Sequence, residues 1–79
     1  MKVKVRYFAL FREQTGVASE LVDWPGGTAA ELFQEMTGKH ATLMPEAAAL
    51  VAVNDEMAGW ETSLAEGDEI LFFPPVAGG

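Results

Sequence analysis

The chain contains no cysteine. That single absence excludes disulfides, thiolate zinc sites, iron–sulfur clusters and cysteine nucleophiles. It also leaves no mark of an oxidising compartment. The one histidine, His40, has no second ligand-type residue at a useful spacing, so it reads as a solvated residue at a helix end and no metal site is expected. Basic residues are scarce, five against twelve acidic ones, for a net charge of −7. Nucleic acid and anionic membrane are poor partners for such a surface, because phosphate binding requires clustered Lys and Arg. A basic protein partner or a basic pocket suits it better. No apolar run approaches the roughly 20 residues of a membrane span. The opening Lys2-Val3-Lys4-Val5 has no apolar signal core behind its charges, so a cytoplasmic location is expected.

What is present is the material of one small folded domain: 79 residues, 49% of them apolar. Residues 2–8 alternate, with Val3, Val5 and Tyr7 on one face and Lys2, Lys4 and Arg6 on the other, which is a half-buried strand. Ala9 to Gln14 loses the alternation and predicts a short helical turn ended by Gly16. Glu20 to Trp24 reads as a second strand, Val22 and Trp24 inward and Asp23 outward, antiparallel to the first because the connection is short. Pro25-Gly26-Gly27 ends it; turn chemistry explains these glycines better than a phosphate cradle, since the fuller Gly-rich fingerprints are missing.

Thr28-Ala29-Ala30-Glu31 has the form of a capping box, and Ala29, Leu32, Phe33 and Met36 come after it as one apolar stripe. This is the main helix, with Gly38 expected at C′ and Lys39 near the negative end of the dipole. Pro45 followed by Glu46 and alanines suits a short helical turn within the poorly patterned stretch 41–49. Leu50 to Val53 is a short buried strand closed by Asn54-Asp55, and Met57 to Trp60 suits a brief edge strand. Leu64 to Asp68 forms a tight turn before a last strand, Glu69 to Phe73, that is apolar on both faces. The adjacent acids Asp55/Glu56 and Asp68/Glu69 cannot both face one reacting atom, so they read as solvated surface charge rather than an acid–base pair.

One helix on one face of a four- or five-stranded mixed sheet is an α+β two-layer fold. A strand apolar on both faces belongs in the middle of that sheet. Beside the first strand it would run parallel, with the intervening segment as crossover. That arrangement is the ubiquitin-like β-grasp, which by itself carries no function.

The division expected is a domain over 1–73 and an extended tail over 74–79. Pro74-Pro75 stops the strand and stiffens the start of the tail, and Gly78-Gly79 carry no side chains. Six residues reach about 20 Å, enough to thread into another protein's active site. A narrow channel around a reacting carboxylate would admit Gly-Gly and exclude bulkier pairs.

The ending from Gly67 to Gly79, above all Phe72-Phe73-Pro74-Pro75-Val76-Ala77-Gly78-Gly79, resembles the small, sulfur-carrier subunits of molybdopterin synthase. The opening Tyr7-Phe8-Ala9-Leu10-Phe11-Arg12-Glu13, with Gly16 beyond it, is similar to that family's first strand and short helix. The resemblance implies a role in molybdenum cofactor biosynthesis. An adenylyltransferase related to ubiquitin-activating enzymes would use ATP to convert the Gly79 carboxylate to an acyl-adenylate. A sulfur donor would then leave a Gly79 thiocarboxylate, and the tail would deliver sulfur to a cyclic pyranopterin precursor inside the large synthase subunit. The chain itself would bind no cofactor and would be a recharged reagent rather than a catalyst on its own.

Partner contacts are expected from Leu71 and Phe73, outward beside the tail root, and from Pro74, Pro75, Val76 and Ala77, the alternative for Phe73 being packing under a loop; Arg12 is a candidate ion-pair contact, with a solvated surface position as the alternative. Three rival readings share the fold: a sulfur carrier for thiamine or tRNA thiolation, a ubiquitin-like modifier joined through Gly79 to target lysines, and an interaction module with an inert tail.

Overall fold

The computed structural model describes residues 1–45 and 47–75. Strand β1 (Lys2–Tyr7) is followed by helix α1 (Leu10–Thr15), strand β2 (Ser19–Asp23), helix α2 (Ala29–Lys39), and strands β3 (Leu50–Val53), β4 (Glu56–Ala58) and β5 (Glu69–Phe73). The five strands form one sheet in the order β2-β1-β5-β3-β4. β5 lies in the centre, parallel to β1 and antiparallel to β3, as its two apolar faces require. β1 and β2 are antiparallel, with Val3 opposite Val22. This is the β-grasp topology.

One face of the sheet is the core. Val3, Val5 and Tyr7 of β1, Val51 of β3, and Ile70 and Phe72 of β5 are buried there against Ala29, Leu32 and Met36 of α2. Phe33 of α2 stands edge-on to Phe72 at 4.8 Å between ring centroids, while Trp60 stacks on Phe72 at 5.8 Å. Phe72 is thus the centre of the aromatic packing.

Local chemistry sets the element ends. The Thr28 hydroxyl accepts the Glu31 amide at 3.2 Å and the Glu31 carboxylate accepts the Thr28 amide at 2.9 Å, which completes the capping box. The next free amides of α2, on Ala29 and Ala30, donate to the carbonyls of Thr62 and Trp60. Gly16 ends α1 in the left-handed region at φ 78°. Asn54 and Asp55 both have positive φ, the two-residue turn that matches strand twist between β3 and β4.

Several expectations need correction. α2 runs through Gly38 to Lys39 with His40 at the C-cap, because the His40 amide still donates to the Met36 carbonyl at 2.8 Å. Among the described residues of 41–49 there are turns and no helix; Glu46 lies outside them. Trp24 falls one residue beyond β2, although it is buried and its amide pairs with the Met1 carbonyl. The edge strand is Glu56–Ala58 rather than 57–60. Asp68 is not merely solvated: it accepts the Asn54 side-chain amide and the Ala65 backbone amide, at 3.0 and 2.8 Å, and so fixes the turn before β5. Glu69 pairs with Arg6 at 2.9 Å.

Candidate functional site

β5 ends at Phe73 and leads directly into Pro74 and Pro75. Because β5 is bonded on both sides, to β1 and to β3, the root of the tail is anchored by two ladders. Proline at 74 and 75 withholds the amide that would extend the ladder, so pairing stops there. Val76, Ala77, Gly78 and Gly79, where the terminal chemistry is expected, lie outside the described residues.

The outer face of the sheet surrounds this root. Strand alternation buries Ile70 and Phe72 completely and turns Leu71 and Phe73 the other way, where both are half-buried. Phe73 pairs with Leu50 across the β3–β5 ladder, and Ala52 stands between Leu71 on one side and Met57 on the other. The Phe8 amide donates to the Phe72 carbonyl at 3.1 Å, which places Phe8 at the same end of the sheet with its side chain 60% exposed. Phe8, Leu71, Phe73, Leu50 and Met57 therefore give an apolar outer face beside the tail root. Of these, the sequence pattern singles out only Leu71 and Phe73. Phe8 continues the outward parity of Lys4 and Arg6, and that alternation is the signal that could have found it. Arg12 is exposed on α1 and lines a cleft with Lys4 and Arg6 of β1.

A second polar feature lies on the inner side, at the sheet end where β1 stops. Glu20 of β2 accepts hydrogen bonds from the Tyr7 hydroxyl at 2.7 Å and the Lys39 ammonium at 2.6 Å, and its other contact is with His40 Nε2 at 2.6 Å. His40 is thus tied to β2 instead of standing in solvent, with its ring edge-on to Tyr7 at 5.8 Å. Burial works to raise the Glu20 pKa, but the bonds from Lys39, Tyr7 and His40 and the electrostatic attraction of His40 outweigh it and lower it to about 2. Burial first, then the bond to and the charge of Glu20, hold the Tyr7 phenol protonated far above its ordinary range. The cluster fastens the C-terminal end of α2 to the two strands beneath it.

Among the described residues, no three His, Asp or Glu side chains converge as metal ligands, and no helix is long and apolar enough to cross a membrane. The described arrangement offers an apolar outer face beside the root of the tail.

Comparison with known proteins agrees with that geometry. The chain is 38% identical to the molybdopterin synthase sulfur carrier subunit of Escherichia coli K12, over 98% of this chain and 99% of the relative. SAMP1 of Haloferax volcanii, a small archaeal modifier protein, superposes with a TM-score of 0.84 at 26% identity, covering 100% of both chains. A chain from the complex of subunits 1 and 2 of the molybdopterin-converting factor of Helicobacter pylori gives a TM-score of 0.68 at 27% identity, again over 100% of both. The profile of the ThiS family matches residues 5–79. The chain belongs to the ThiS family and is a ubiquitin-like β-grasp protein of the sulfur-carrier type.

Proposed function

We propose that this chain is the sulfur-donating small subunit of a molybdopterin synthase, carrying sulfur as a thiocarboxylate on Gly79. The observation that supports the reading is the root of the tail: the central strand β5, bonded on both edges, leads into Pro74-Pro75, and the sequence beyond them ends in Gly78-Gly79. The 38% identity over nearly the whole length of a molybdopterin synthase sulfur carrier subunit supports the choice of pathway.

The chemistry is that of the terminus. A free carboxylate is a poor acyl electrophile, so a partner adenylyltransferase first joins it to AMP from ATP, releasing pyrophosphate. A sulfur donor attacks the acyl carbon and AMP departs. The product is an anionic sulfur nucleophile held at the end of a side-chain-free dipeptide. The large subunit then receives the tail and supplies the groups that bind the pterin and move protons. In this reading the chain contributes the sulfur atom, the reach and the docking face, with Leu71, Phe73, Pro74, Pro75, Val76, Ala77 and Arg12 as partner contacts. The second subunit in the solved Helicobacter pylori complex supports a partnership of this kind.

The likeness to SAMP1 favours one alternative, attachment of Gly79 to lysines of other proteins. Intact-mass spectrometry after incubation with the adenylyltransferase, ATP and a sulfur source distinguishes the two. Sulfur carriage gives a gain of about 16 Da, oxygen exchanged for sulfur, localised to Gly79. Its absence, with isopeptide-linked products in its place, overturns the proposal. Removal of Gly79 should abolish the gain and leave the melting temperature unchanged.

A further inference from the structure

At the end of the sheet away from the tail root, β2 finishes with Asp23 opposite Lys2, and β5 begins. Just beyond Asp23, the residues Trp24, Pro25 and Gly26 form one wall of a cleft of about 340 Å³, and Glu31, Gln34 and Glu35 in the first turns of α2 form the other. Trp24 is only 6% exposed, yet among the described residues its indole N–H has no hydrogen-bond partner. The indole N–H of Trp60, by contrast, donates to the Ala49 carbonyl at 3.2 Å. No fully buried side-chain nitrogen among the described residues lacks a partner, so the Trp24 N–H must reach solvent, and the cleft is the opening that Trp24 lines. On the opposite wall, Glu31 spends Oε1 on the helix cap, and among the described residues neither Glu31 nor Glu35 has a cation within ion-pair distance. Gly27 lets the two walls come together. At φ 145° it carries no Cβ, and one placed there would lie 2.5 Å from Glu31 Oε1 and 3.3 Å from Trp24 Cζ2.

We propose that this cleft binds an arginine-bearing segment of another protein, with the guanidinium between Glu31 and Glu35 and a neighbouring peptide carbonyl accepting the Trp24 indole N–H. The two walls together select that chemistry. Carboxylates four residues apart on a helix repel each other and call for a cation between them. The indole is a donor only and calls for an acceptor. A metal ion would satisfy the carboxylates but face an N–H of like polarity, and a phosphate would satisfy the indole but face two carboxylates. A peptide with a basic side chain joins a cation to a carbonyl and satisfies both walls. Arginine suits the site better than lysine, because its planar fork reaches two carboxylates and the Gln34 carboxamide oxygen at once. The net charge of −7 draws such a segment in. Because Phe73 closes the other end of the sheet, a protein held here leaves the tail free to engage its acceptor. The inference is independent of the chemistry proposed for Gly79.

The test titrates the full ¹⁵N-labelled chain with the blocked peptide N-acetyl-Gly-Arg-Gly-amide and follows the two indole N–H resonances by NMR. The expected result is a saturable shift of the Trp24 indole signal while the Trp60 signal, already bonded to Ala49, stays in place. The same peptide with glutamine in place of arginine should give no shift. Glu35→Gln, which lies outside the capping box, should weaken binding about tenfold. Glu56→Gln removes the same charge from β4 at the far edge of the sheet and should leave binding unchanged. Both glutamates are exposed, and unchanged melting temperatures confirm that the fold is intact. A Trp24 signal that does not move up to the solubility limit of the arginine peptide overturns the proposal. So does an equal shift with the glutamine peptide. Equal weakening by Glu35→Gln and Glu56→Gln reduces the effect to general charge attraction and overturns it as well. Magnesium chloride alone reproducing the Trp24 shift would make the cleft a simple cation site, with the same consequence.

Discussion

Replacing Glu20 by Gln tests the claim that one carboxylate fastens α2 to the sheet. Its three partners approach within 2.6–2.7 Å, and its side chain is 15% exposed. The pKa falls from 4.5 to about 2 on folding. A gap of that size integrates to about 3 kcal/mol, and allowing for solvent screening of the half-exposed Lys39 ammonium, about 2 kcal/mol is expected. The direction of the shift sets the sign. A carboxylate with a depressed folded-state pKa contributes its full stability above the unfolded value near 4.5, and that contribution disappears as pH falls toward 2. Glu20→Gln removes the charge at every pH. Wild type and variant should therefore differ by about 2 kcal/mol at pH 7, on the order of 10 °C in melting temperature for a domain this small, and should converge through the window from 4.5 to about 2. Urea denaturation monitored by circular dichroism across that window measures the difference directly. A gap that is absent at pH 7, or that stays constant down to about pH 2, would refute the electrostatic account of the clamp.

Thr28→Ala removes the hydroxyl half of the capping box and should cost about 1 kcal/mol in chemical denaturation, with no effect on partner binding. Phe8→Ala should behave in the opposite way. The side chain is 60% exposed, so the melting temperature should change little, whereas calorimetric affinity for the large subunit should fall by about 2 kcal/mol if Phe8 anchors the interface. Phe73→Ala should weaken the same binding while also loosening the pair with Leu50, so its stability loss should exceed that of Phe8→Ala.

The strands of this fold are legible in the sequence because their patterns are local. Alternation in β1 gives Val3, Val5 and Tyr7 their face, and Ile70-Leu71-Phe72-Phe73 can satisfy both apolar faces only at the centre of the sheet. The capping box is readable within four residues. What cannot be read depends on pairings distant in the chain. Nothing near His40 in sequence announces Glu20, twenty residues earlier; the two meet because β2 and the end of α2 lie on the same margin of the sheet. Gly38 misleads for a related reason. Glycine costs a helix about 1 kcal/mol, a local penalty that predicts termination there. The bonds from Lys39 and His40 to Glu20 reward one more turn, and the tertiary contact wins. The outer apolar face is half visible in the sequence because Phe8 and Met57 join Leu71 only once the strand order is known.

The same strand order explains why a reactive terminus would be mounted on β5 rather than on an edge. An edge strand can fray or slip without disturbing more than one ladder. For β5 to shift by one residue, two ladders would have to break, and Ile70 and Phe72 would have to leave the core while Leu71 and Phe73 entered it. Its register is therefore fixed by buried packing, and with it the height at which Pro74 leaves the sheet. A carrier without a cysteine cannot hold sulfur on a side-chain thiol, so in the proposed role the acyl carbon of Gly79 has to serve, and its position depends on that exit point. The core face sets the register of the strand, while in the proposed role the outer face would orient the protein that receives its end. Lengthening the tail by one residue after Gly79 should thus block sulfur transfer within the large subunit without altering either affinity or stability, because it moves the reacting atom and nothing else.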